Sequence, residues 1–331
     1  MHTQRPLAVE IASVGSYLPR RVLSNHDLEK MVDTSDEWIV PRTGIRERRI
    51  ADQEEATSDM ALAAARQALE RAGMDPGELD AVLVATCTPD YLFPATACLV
   101  QSELGAERAM ACDLEAACSG FLYGVSHAAG MIGSGLARNA LVIGAETLSR
   151  ITDYEDRGSC ILFGDGAGAA LLRPADDSSE LLYAELGADG SHPQILMVPA
   201  GAARNPASHQ TVERREHYMQ LQGRDVFKLA VNKLTELMKR IPERTGVDLE
   251  EIQMVIPHQS NIRIIKSACE RSGVPLKKAY MNIDRVGNTS AASIPLALAE
   301  AVERGELKRG DLLLLLAFGG GLTWASTLLR Y

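Results

Sequence analysis

One cysteine in this chain stands among small residues, at a place where its thiol could act as a nucleophile. Cys118 lies in Asp113-Leu-Glu-Ala-Ala-Cys-Ser-Gly-Phe-Leu, a short strand-like opening that leads into a helical run. Free N–H groups and the positive end of the dipole at a helix N-terminus favour the thiolate form. We therefore predict a reactive thiol with a lowered pKa at Cys118; a small, buried and inert cysteine is the alternative.

A histidine and an asparagine occupy comparable places further along the chain. His258 directly follows an apolar strand-like segment, and strand ends are the usual catalytic edge of an α/β sheet. Asn288 lies in Gly287-Asn-Thr-Ser-Ala-Ala-Ser-Ile-Pro, a second run of small residues that opens a helix. We predict that both side chains face the same centre as Cys118. The plainer alternatives are a core histidine and a helix-capping asparagine.

A duplicated unit positions these residues. Arg71-Ala-Gly-Met-Asp75 precedes the apolar run 81–85, and Arg244-Thr-Gly-Val-Asp248 precedes the run 254–256, an offset of 173 residues. Each copy follows a stretch with apolar residues at helical spacing. Further along, Gly135 matches Gly305 at an offset of 170 residues, and this offset places Cys118 on Asn288. The repeat therefore predicts equivalent positions for these two residues.

The repeat also predicts the fold class. Continuous apolar strands that alternate with helices indicate mainly parallel strands covered on both faces. We predict an α/β protein with layers in the order α/β/α/β/α, built from two duplicated halves. Residues 1–174 form the half with Cys118, and residues 224–331 form the half with His258 and Asn288. Residues 175–223 and 25–56 are rich in turn-forming or charged residues and are predicted to be excursions, the first of them a connector.

Composition excludes several functional classes. The net charge of −10 argues against a general affinity for nucleic acid or for an anionic membrane. The first residues contain no apolar signal core, and the longest strongly apolar run, 312–317, is too short to span a bilayer. The chain has 6 cysteines but no CxxC pair, which suits neither a disulfide framework nor a zinc site. We predict a soluble cytoplasmic protein with reduced thiols and no metal.

Two glycine-rich turns follow the strands, at residues 164–168 and 319–321. Neither has the spacing of a dinucleotide-binding fingerprint or of a phosphate-binding loop, so we do not predict nucleotide binding through them. Glycine allows backbone N–H groups to approach a ligand closely, as an oxyanion hole requires. We predict such a donor in the second turn and tight packing in the first.

Taken together, these segments resemble β-ketoacyl-acyl-carrier-protein synthase III, the initiating condensing enzyme of dissociated bacterial fatty acid synthesis, in the thiolase-like superfamily. The resemblance extends from end to end. Each segment is moderately specific, and their combination in this order is highly specific. The segments are Val32-Asp-Thr-Ser-Asp-Glu-Trp-Ile, Arg42-Thr-Gly-Ile-Arg, Ala117-Cys-Ser-Gly-Phe, Phe163-Gly-Asp-Gly-Ala-Gly-Ala, Pro257-His-Gln-Ser-Asn, Gly287-Asn-Thr-Ser-Ala-Ala-Ser and Phe318-Gly-Gly-Gly-Leu-Thr-Trp.

The resemblance implies a decarboxylative Claisen condensation. An acyl-CoA primer, acetyl-CoA or another short acyl-CoA, would react with malonyl-acyl carrier protein to give β-ketoacyl-acyl carrier protein, coenzyme A and carbon dioxide. Cys118 would carry the acyl group, and the N–H groups of Cys118 and Gly320 would form its oxyanion hole. His258 and Asn288 would hydrogen-bond the malonyl thioester oxygen, for which a neutral His258 suffices. No cofactor is implied, because the coenzyme A thioester is a substrate.

The resemblance also implies binding residues for coenzyme A and for a partner subunit. Trp38 and Arg157 would flank the adenine, and Arg42 and Asn261 would help to line the tunnel. Phe93 would reach across a homodimer interface to gate the acyl pocket. A buried Trp38 and a salt-bridged Arg157 are the structural alternatives for these two residues.

A carrier-protein docking patch is implied as well. Lys228, Arg263 and Arg271 would form a basic surface that docks the acidic carrier protein. Two positions depart from the usual family pattern: Ser260 stands where relatives often have alanine, and Glu270 stands at a spot that is often basic. The second departure weakens the expected affinity for the carrier protein.

Several rival functions remain open. A relative with the same fold that makes an alkylquinolone or a polyketide starter would use the same three residues. A degradative thiolase would carry a second cysteine in the C-terminal glycine-rich turn, and Phe318-Gly-Gly-Gly-Leu-Thr has none. An elongating synthase would have a histidine in place of Asn288. A non-catalytic acyl-CoA-binding or scaffold protein would be expected to lack one of the three. The length and branching of the primer are left open.

Overall fold

The structure, a computed structural model, describes residues 6–175 and 180–331. Residues 176–179 of the predicted connector and residues 1–5 lie outside the described residues. The strands are β1 (Val9–Tyr17), β2 (Arg21–Ser24), β3 (Glu47–Ile50), β4 (Ala81–Ala85), β5 (Met110–Leu114), β6 (Ala140–Glu146), β7 (Gly166–Pro174), β8 (Glu180–Ala188), β9 (Leu196–Met197), β10 (Gln220–Leu221), β11 (Met254–Pro257), β12 (Leu312–Gly319) and β13 (Thr323–Arg330).

Helices connect and cover these strands. They are α1 (Asn25–Leu28), α2 (Asp36–Thr43), α3 (Thr57–Ala72), α4 (Thr96–Leu104), α5 (Gly120–Gly133), α6 (Arg157–Cys160), α7 (His209–Glu213), α8 (Gly223–Thr245), α9 (Ile262–Ser272), α10 (Ile283–Val286) and α11 (Ser293–Glu303). Two short 3-10 turns, Ala117–Ser119 and Ser290–Ala292, precede α5 and α11. In the described residues, no helix is both long enough and apolar enough to cross a membrane.

Two large sheets follow the same plan. The first has the strand order β1-β7-β6-β4-β5, and the second has the order β8-β13-β12-β11. In the second sheet, a single parallel bridge between Val255 and Ala279 stands where the first sheet has β5. The duplication predicted from the sequence is therefore present in the strand order itself.

Both sheets are mixed. Pairings β6/β4, β4/β5 and β11/β12 are parallel, whereas β1/β7, β6/β7, β12/β13 and β8/β13 are antiparallel. The α/β class and the mixed sheets are confirmed, but the expectation that parallel strands predominate is not met. A short turn joins β12 to β13, and strands joined in this way can pair only in the antiparallel sense.

Alternating side chains of the strands divide the core into layers. In β4, Val82 and Val84 pack under α3 and α4, whereas Leu83 faces the central layer with α5 and α11. In β12, Leu313 and Leu315 face that same central layer, and their neighbours along the strand pack under α8 and α9. The order of layers is therefore α/β/α/β/α, as predicted.

The glycines of the repeated motif end the helices α3 and α8. Gly73 follows α3 with a φ of 61°, and Gly246 follows α8 with a φ of 74°. These left-handed conformations favour glycine, which explains why the motif recurs ahead of both β4 and β11.

The structure corrects one step of the repeat. The turn residues Ala117 and Ser290 both have left-handed φ values, 45° and 46°, and α5 and α11 begin at Gly120 and Ser293. The offset before these helices is therefore 173 residues, and Cys118 corresponds to Ala291 rather than to Asn288. The offset of 170 holds only after the helices, because α5 has 14 residues and α11 has 11.

The predicted connector contains part of the second sheet. Within residues 175–223, strand β8 pairs with β13 along its length, and only the segment after β8 forms the expected excursion, with α7, β9 and β10. The boundary of the second half therefore lies earlier in its sheet than residue 224. The division into residues 1–174, 175–223 and 224–331 otherwise stays a prediction. The other excursion, residues 25–56, holds α1, α2 and the partner strand of β2.

Candidate active site

The turn that carries Cys118 is held from both sides. Cys118 lies two residues before α5, in the 3-10 turn that begins at Ala117. The Glu115 carboxylate accepts a hydrogen bond from the Ala117 N–H at 3.0 Å. On the other side, Thr323 Oγ1 donates to the Ala116 carbonyl at 2.8 Å. The glycine-rich hairpin of the second half therefore fixes the cysteine turn of the first.

The protonation of Cys118 differs from the sequence-based expectation. Burial raises the pKa of the thiol to about 12, and the nearby Glu146 carboxylate raises it further. The Ser290 hydroxyl and the Cys118 N–H act in the opposite direction but do not outweigh burial. The predicted lowering of the pKa is therefore wrong, because burial opposes the charged form more strongly than the helix terminus favours it. The resting protein holds a thiol, and its proton must leave during any nucleophilic attack.

His258 is a buried, neutral side chain at the end of β11. Its N–H donates to the Leu316 carbonyl of the neighbouring strand at 2.7 Å. Burial lowers the pKa of the imidazole to about 3. Its Nδ1 atom has no hydrogen-bond partner among the described residues. A buried ring nitrogen without a partner is unusual, and a substrate oxygen could supply what is missing.

Asn288 is anchored to the first half of the chain. Its N–H donates to the Leu162 carbonyl at 2.9 Å, and its carbonyl accepts from the Gly164 N–H at 3.0 Å. The side-chain Oδ1 accepts from the Ser290 N–H at 3.0 Å, so Asn288 does cap its turn. The side-chain NH2 group donates no hydrogen bond within the part of the chain that the structure describes, and a ligand could accept one.

The segments that carry these residues meet at one place. The turns Ala117–Ser119 and Ser290–Ala292 are in contact, and the first of them also contacts β12. A Cβ atom added to Gly319, at the end of β12, would lie 2.7 Å from the Cys118 nitrogen. In the described chain, the N–H groups of Cys118 and Gly320 donate no backbone hydrogen bond. The site thus combines a thiol, uncommitted backbone donors and two neutral side-chain donors.

Comparison with known proteins identifies the family. The family model described as 3-oxoacyl-[acyl-carrier-protein (ACP)] synthase III matches residues 112–190, and the model of its C-terminal part matches residues 243–331. A relative from Caldanaerobacter subterraneus subsp. tengcongensis, named beta-ketoacyl-[acyl-carrier-protein] synthase III, is 51% identical over 325 residues, which is 98% of each chain. The chain belongs to the β-ketoacyl-acyl-carrier-protein synthase III family.

Solved structures agree with this family membership. The crystal structure of 3-oxoacyl-[acyl-carrier-protein] synthase III from Aquifex aeolicus is 49% identical, with a TM-score of 0.90, over 98% of this chain and 100% of the other. The priming β-ketosynthase of the R1128 polyketide biosynthetic pathway is 36% identical, also with a TM-score of 0.90, over 99% of this chain and 98% of the other. The synthase III fold thus occurs in enzymes of both kinds.

The residues expected to bind coenzyme A in this synthase III chain gather around Trp38. The guanidinium carbons of Arg42 and Arg157 lie 4.5 Å and 4.9 Å from the centre of the Trp38 ring. Arg157 also pairs with Asp33 at 3.6 Å, so the salt-bridge alternative is observed as well. The side chain of Asn261 caps the first turn of α9. Trp38 is only half-buried and is not a core residue.

Phe93 stands on an exposed apolar loop. Its exposed fraction is 85%, and the neighbouring Leu92 is 83% exposed. Tyr91 extends the same surface. In this single chain Phe93 therefore does not reach the Cys118 turn of its own subunit, and its role as a gate stays a prediction.

The three basic residues of the predicted docking patch lie on two packed helices. Lys228 is on α8, whereas Arg263 and Arg271 are on α9, and all three are exposed. Arg271 donates a hydrogen bond to Asn232 Oδ1 across the helix pair at 3.1 Å. Glu270 is exposed on α9 next to Arg271. The structure thus brings the three cations to one side of the second half.

Two residues near Cys118 escaped the sequence reasoning. Ser290 follows Asn288 by two positions and occupies the left-handed start of its turn. Glu146 ends the otherwise apolar strand β6 and is fully buried. The signal for Glu146 was available, because a carboxylate that closes a buried strand is a costly choice unless donors surround it. The signal for Ser290 required the correct repeat offset.

Proposed function

We propose that this chain condenses an acyl-CoA primer with malonyl-acyl carrier protein. The products are β-ketoacyl-acyl carrier protein, coenzyme A and carbon dioxide, and the reaction initiates fatty acid synthesis. The observation that carries the proposal is the packing of the Cys118 turn against Gly319, which leaves free N–H donors beside a buried thiol. The names of the relatives support the choice of substrates.

The first half-reaction transfers the acyl group to the enzyme. Cys118 Sγ attacks the thioester carbonyl carbon, and the coenzyme A thiolate leaves from the tetrahedral intermediate. The N–H groups of Cys118 and Gly320 donate to the oxyanion, and each such donor commonly contributes about 2.7–4 kcal/mol. His258 has no part in this step, because its neutral ring has too low a pKa to hold a proton at neutral pH.

The second half-reaction uses neutral donors. His258 and Asn288 hydrogen-bond the malonyl thioester oxygen, where negative charge develops as carbon dioxide leaves. The resulting carbanion attacks the carbonyl carbon of the acyl-cysteine, and the Cys118 thiol is released. A buried, uncharged His258 suits this task because a donated N–H is required, not a proton transfer. The reaction uses protein groups alone, without a cofactor.

Substrate entry requires a rearrangement at Trp38. Both guanidinium groups already occupy the ring faces, so the adenine of coenzyme A must replace one of them. We assign that face to Arg157, which then closes over the adenine, while Arg42 and Asn261 remain along the tunnel. Loss of a cation–π contact of about 0.5–1 kcal/mol is a small barrier to this exchange.

Assembly and location complete the proposal. The exposed loop with Phe93 is the surface of a homodimer, in which Phe93 of one subunit gates the acyl pocket of the other. Lys228, Arg263 and Arg271 dock the acidic carrier protein. The protein works in the cytosol, where thiols stay reduced; all six cysteines are free in the structure.

A second candidate is priming of a polyketide or another secondary metabolite. The similarity to the R1128 priming enzyme supports it, since that chain matches over nearly its full length. Purified protein is incubated with a panel of acyl-CoA primers and with either malonyl-acyl carrier protein or free malonyl-CoA. The fatty acid role predicts turnover of acetyl-CoA or another short acyl-CoA and a strong preference for the carrier protein. Equal turnover with free malonyl-CoA would contradict it.

A further inference from the structure

A buried carboxylate lies directly behind the reactive turn. Glu146 accepts hydrogen bonds from Thr88 Oγ1 at 2.6 Å, from the Cys87 N–H at 3.1 Å and from Thr86 Oγ1 at 3.2 Å. The Ala291 N–H, in the turn of the second half, donates to it at 3.4 Å. No lysine, arginine or histidine of the described residues forms an ion pair with it. Such a group is costly to bury and clusters at functional sites.

Ser290 connects this carboxylate to Cys118. Its hydroxyl hydrogen-bonds with the Cys118 thiol and with the Glu146 carboxylate, and it lies 3.8 Å from Cys87 Sγ. Ser290 adopts a left-handed φ of 46°, an uncommon conformation for a residue with a side chain. Strained conformations of this kind persist where the surroundings hold them, and they cluster at active sites.

The other titratable groups near Cys118 are poor acceptors for its proton. His258 is buried and neutral, and burial lowers its pKa to about 3. Cys87 is itself a thiol, and burial raises its pKa well above the usual range. Glu115 is exposed and its carboxylate already accepts the Ala117 N–H. Burial also raises the pKa of Glu146, which makes it the strongest carboxylate base in contact with the site.

We propose that Glu146 receives the proton of the Cys118 thiol through the hydroxyl of Ser290. The inference rests on the proposed acyl transfer, to which it adds the route of the proton. Ser290 touches the nucleophile directly, whereas Glu146 acts through Ser290.

The transfer balances in both directions. As Cys118 Sγ bonds to the thioester carbon, its S–H proton passes to Ser290 Oγ, and the original hydroxyl proton of Ser290 passes to a Glu146 oxygen. The carbonyl oxygen becomes the oxyanion held by the backbone donors. When the bond from carbon to the leaving sulfur breaks, the coenzyme A thiolate takes up a proton, and Glu146 gives up its proton by the same route or to solvent. Cys118 ends acylated and Glu146 returns to its ionised form.

Single-turnover acylation by acetyl-CoA tests the relay. The acyl adduct on Cys118 is followed by mass spectrometry from pH 5.5 to 9 in the wild type, Glu146→Gln and Ser290→Ala. In the wild type the rate is expected to rise as Glu146 ionises and then to level off. At pH 7 both variants should acylate at least about 100-fold more slowly, the usual contribution of a general base. Their rates should keep rising with pH instead of levelling off, because solvent hydroxide then replaces the relay.

Matched variants separate the relay from a structural effect. Asp113→Asn removes another partly buried carboxylate, which accepts the N–H groups of Thr96 and Ala97 at 2.8 Å, and should leave the pH profile unchanged. Ser290→Ala is tolerable for the backbone, since alanine already occupies the equivalent left-handed position at residue 117. If Glu146→Gln does not fold, the profile of Ser290→Ala decides.

Three results overturn the relay. They are an unchanged rate, a rate lowered equally at every pH, and faster acylation of Glu146→Gln across the range, which would mean that the carboxylate only repels the thiolate. If the wild type itself acquires no acyl group at any pH, the proposed function fails and the relay falls with it. If the wild type acylates normally but the variants match it, only the relay fails.

Discussion

At the scale of single residues, the site divides its work among side chains whose charges are suppressed by burial. Cys118 is a thiol and His258 is a neutral ring, and neither charged form is favoured in the resting protein. A buried neutral histidine can donate a hydrogen bond to an enolate oxygen but cannot take the thiol proton. Acylation and condensation should therefore respond differently to the loss of His258.

Replacement of His258 by alanine should separate the half-reactions. Acylation of Cys118 by acetyl-CoA should stay near the wild-type rate, because the backbone donors and the thiol are intact. Condensation should fall by about 10²–10³, the usual effect of removing one donor to a developing oxyanion. The two rates are measured by mass spectrometry of the adduct and by release of carbon dioxide. His192→Ala, in an exposed loop, is the control; failure of His258→Ala to acylate would contradict this division.

The buried His258 should also make stability depend on pH. Its pKa is about 3 in the folded protein and near 6.5 when unfolded, so between these values the unfolded chain binds the extra proton. The free energy of unfolding should therefore decrease as the pH falls below about 6.5, by up to about 1.4 kcal/mol per pH unit from this group. Urea unfolding of the wild type and of His258→Gln from pH 4 to 7 measures the difference. Parallel curves would show that His258 is protonated in the folded state.

At the scale of elements, the sequence pattern predicted more of the framework than of the site. Glycine caps, apolar strands and the repeat located α3, β4, α8 and β11 and the strand end that carries His258. The pattern did not show that α5 is one turn longer than α11, so Cys118 was matched with Asn288 instead of Ala291. Periodicity measures spacing along the chain, whereas the equivalence of two turns depends on backbone angles at Ala117 and Ser290.

Burial and long-range contacts were the parts that the sequence could not provide. The helix terminus next to Cys118 predicted a lowered pKa, but the degree of burial depends on how two halves pack together. Likewise, the donors around Glu146 come from the segments after β4 and before α11, which are far apart in the chain. Local patterns carry no information about such contacts.

The hairpin between β12 and β13 should be sensitive to one added methyl group. In Gly319→Ala the new Cβ would lie 2.7 Å from the Cys118 nitrogen and 3.2 Å from the Ser119 nitrogen, so the turn or the strand must shift. We expect acylation to fall by about 10²–10³ because the backbone donors move. Gly190→Ala is the matched control, since its Cβ would meet nothing within 4 Å. Equal acylation rates for the two variants would show that Gly319 does not shape the oxyanion hole.

At the scale of the whole molecule, a chain with a net charge of −10 must bind an acidic carrier protein through a local basic surface. Lys228, Arg263 and Arg271 supply such a surface on α8 and α9. Reversal of all three charges to glutamate should raise the KM for malonyl-acyl carrier protein by about tenfold or more at low salt, and less at high salt. The rate of acylation by acetyl-CoA should not change, since that step needs no carrier protein.

A second charge-reversed variant controls for net charge. Lys30, Arg138 and Lys308 are exposed and lie outside the docking helices, so their change to glutamate alters the net charge by the same amount. This variant should keep the wild-type KM for the carrier protein. A similar increase in KM for both variants would indicate a general electrostatic effect and would contradict a defined patch.

The two halves come together at Cys118, and the central claim is that this thiol carries the primer between the two half-reactions. The direct measurement is the mass of the intact protein, with peptide mapping, after incubation with acetyl-CoA alone. We predict one acetyl group on Cys118 in the wild type, none in Cys118→Ala, and loss of the group when malonyl-acyl carrier protein is added. No adduct, or an adduct on Cys87 with Cys118 unmodified, would contradict the account.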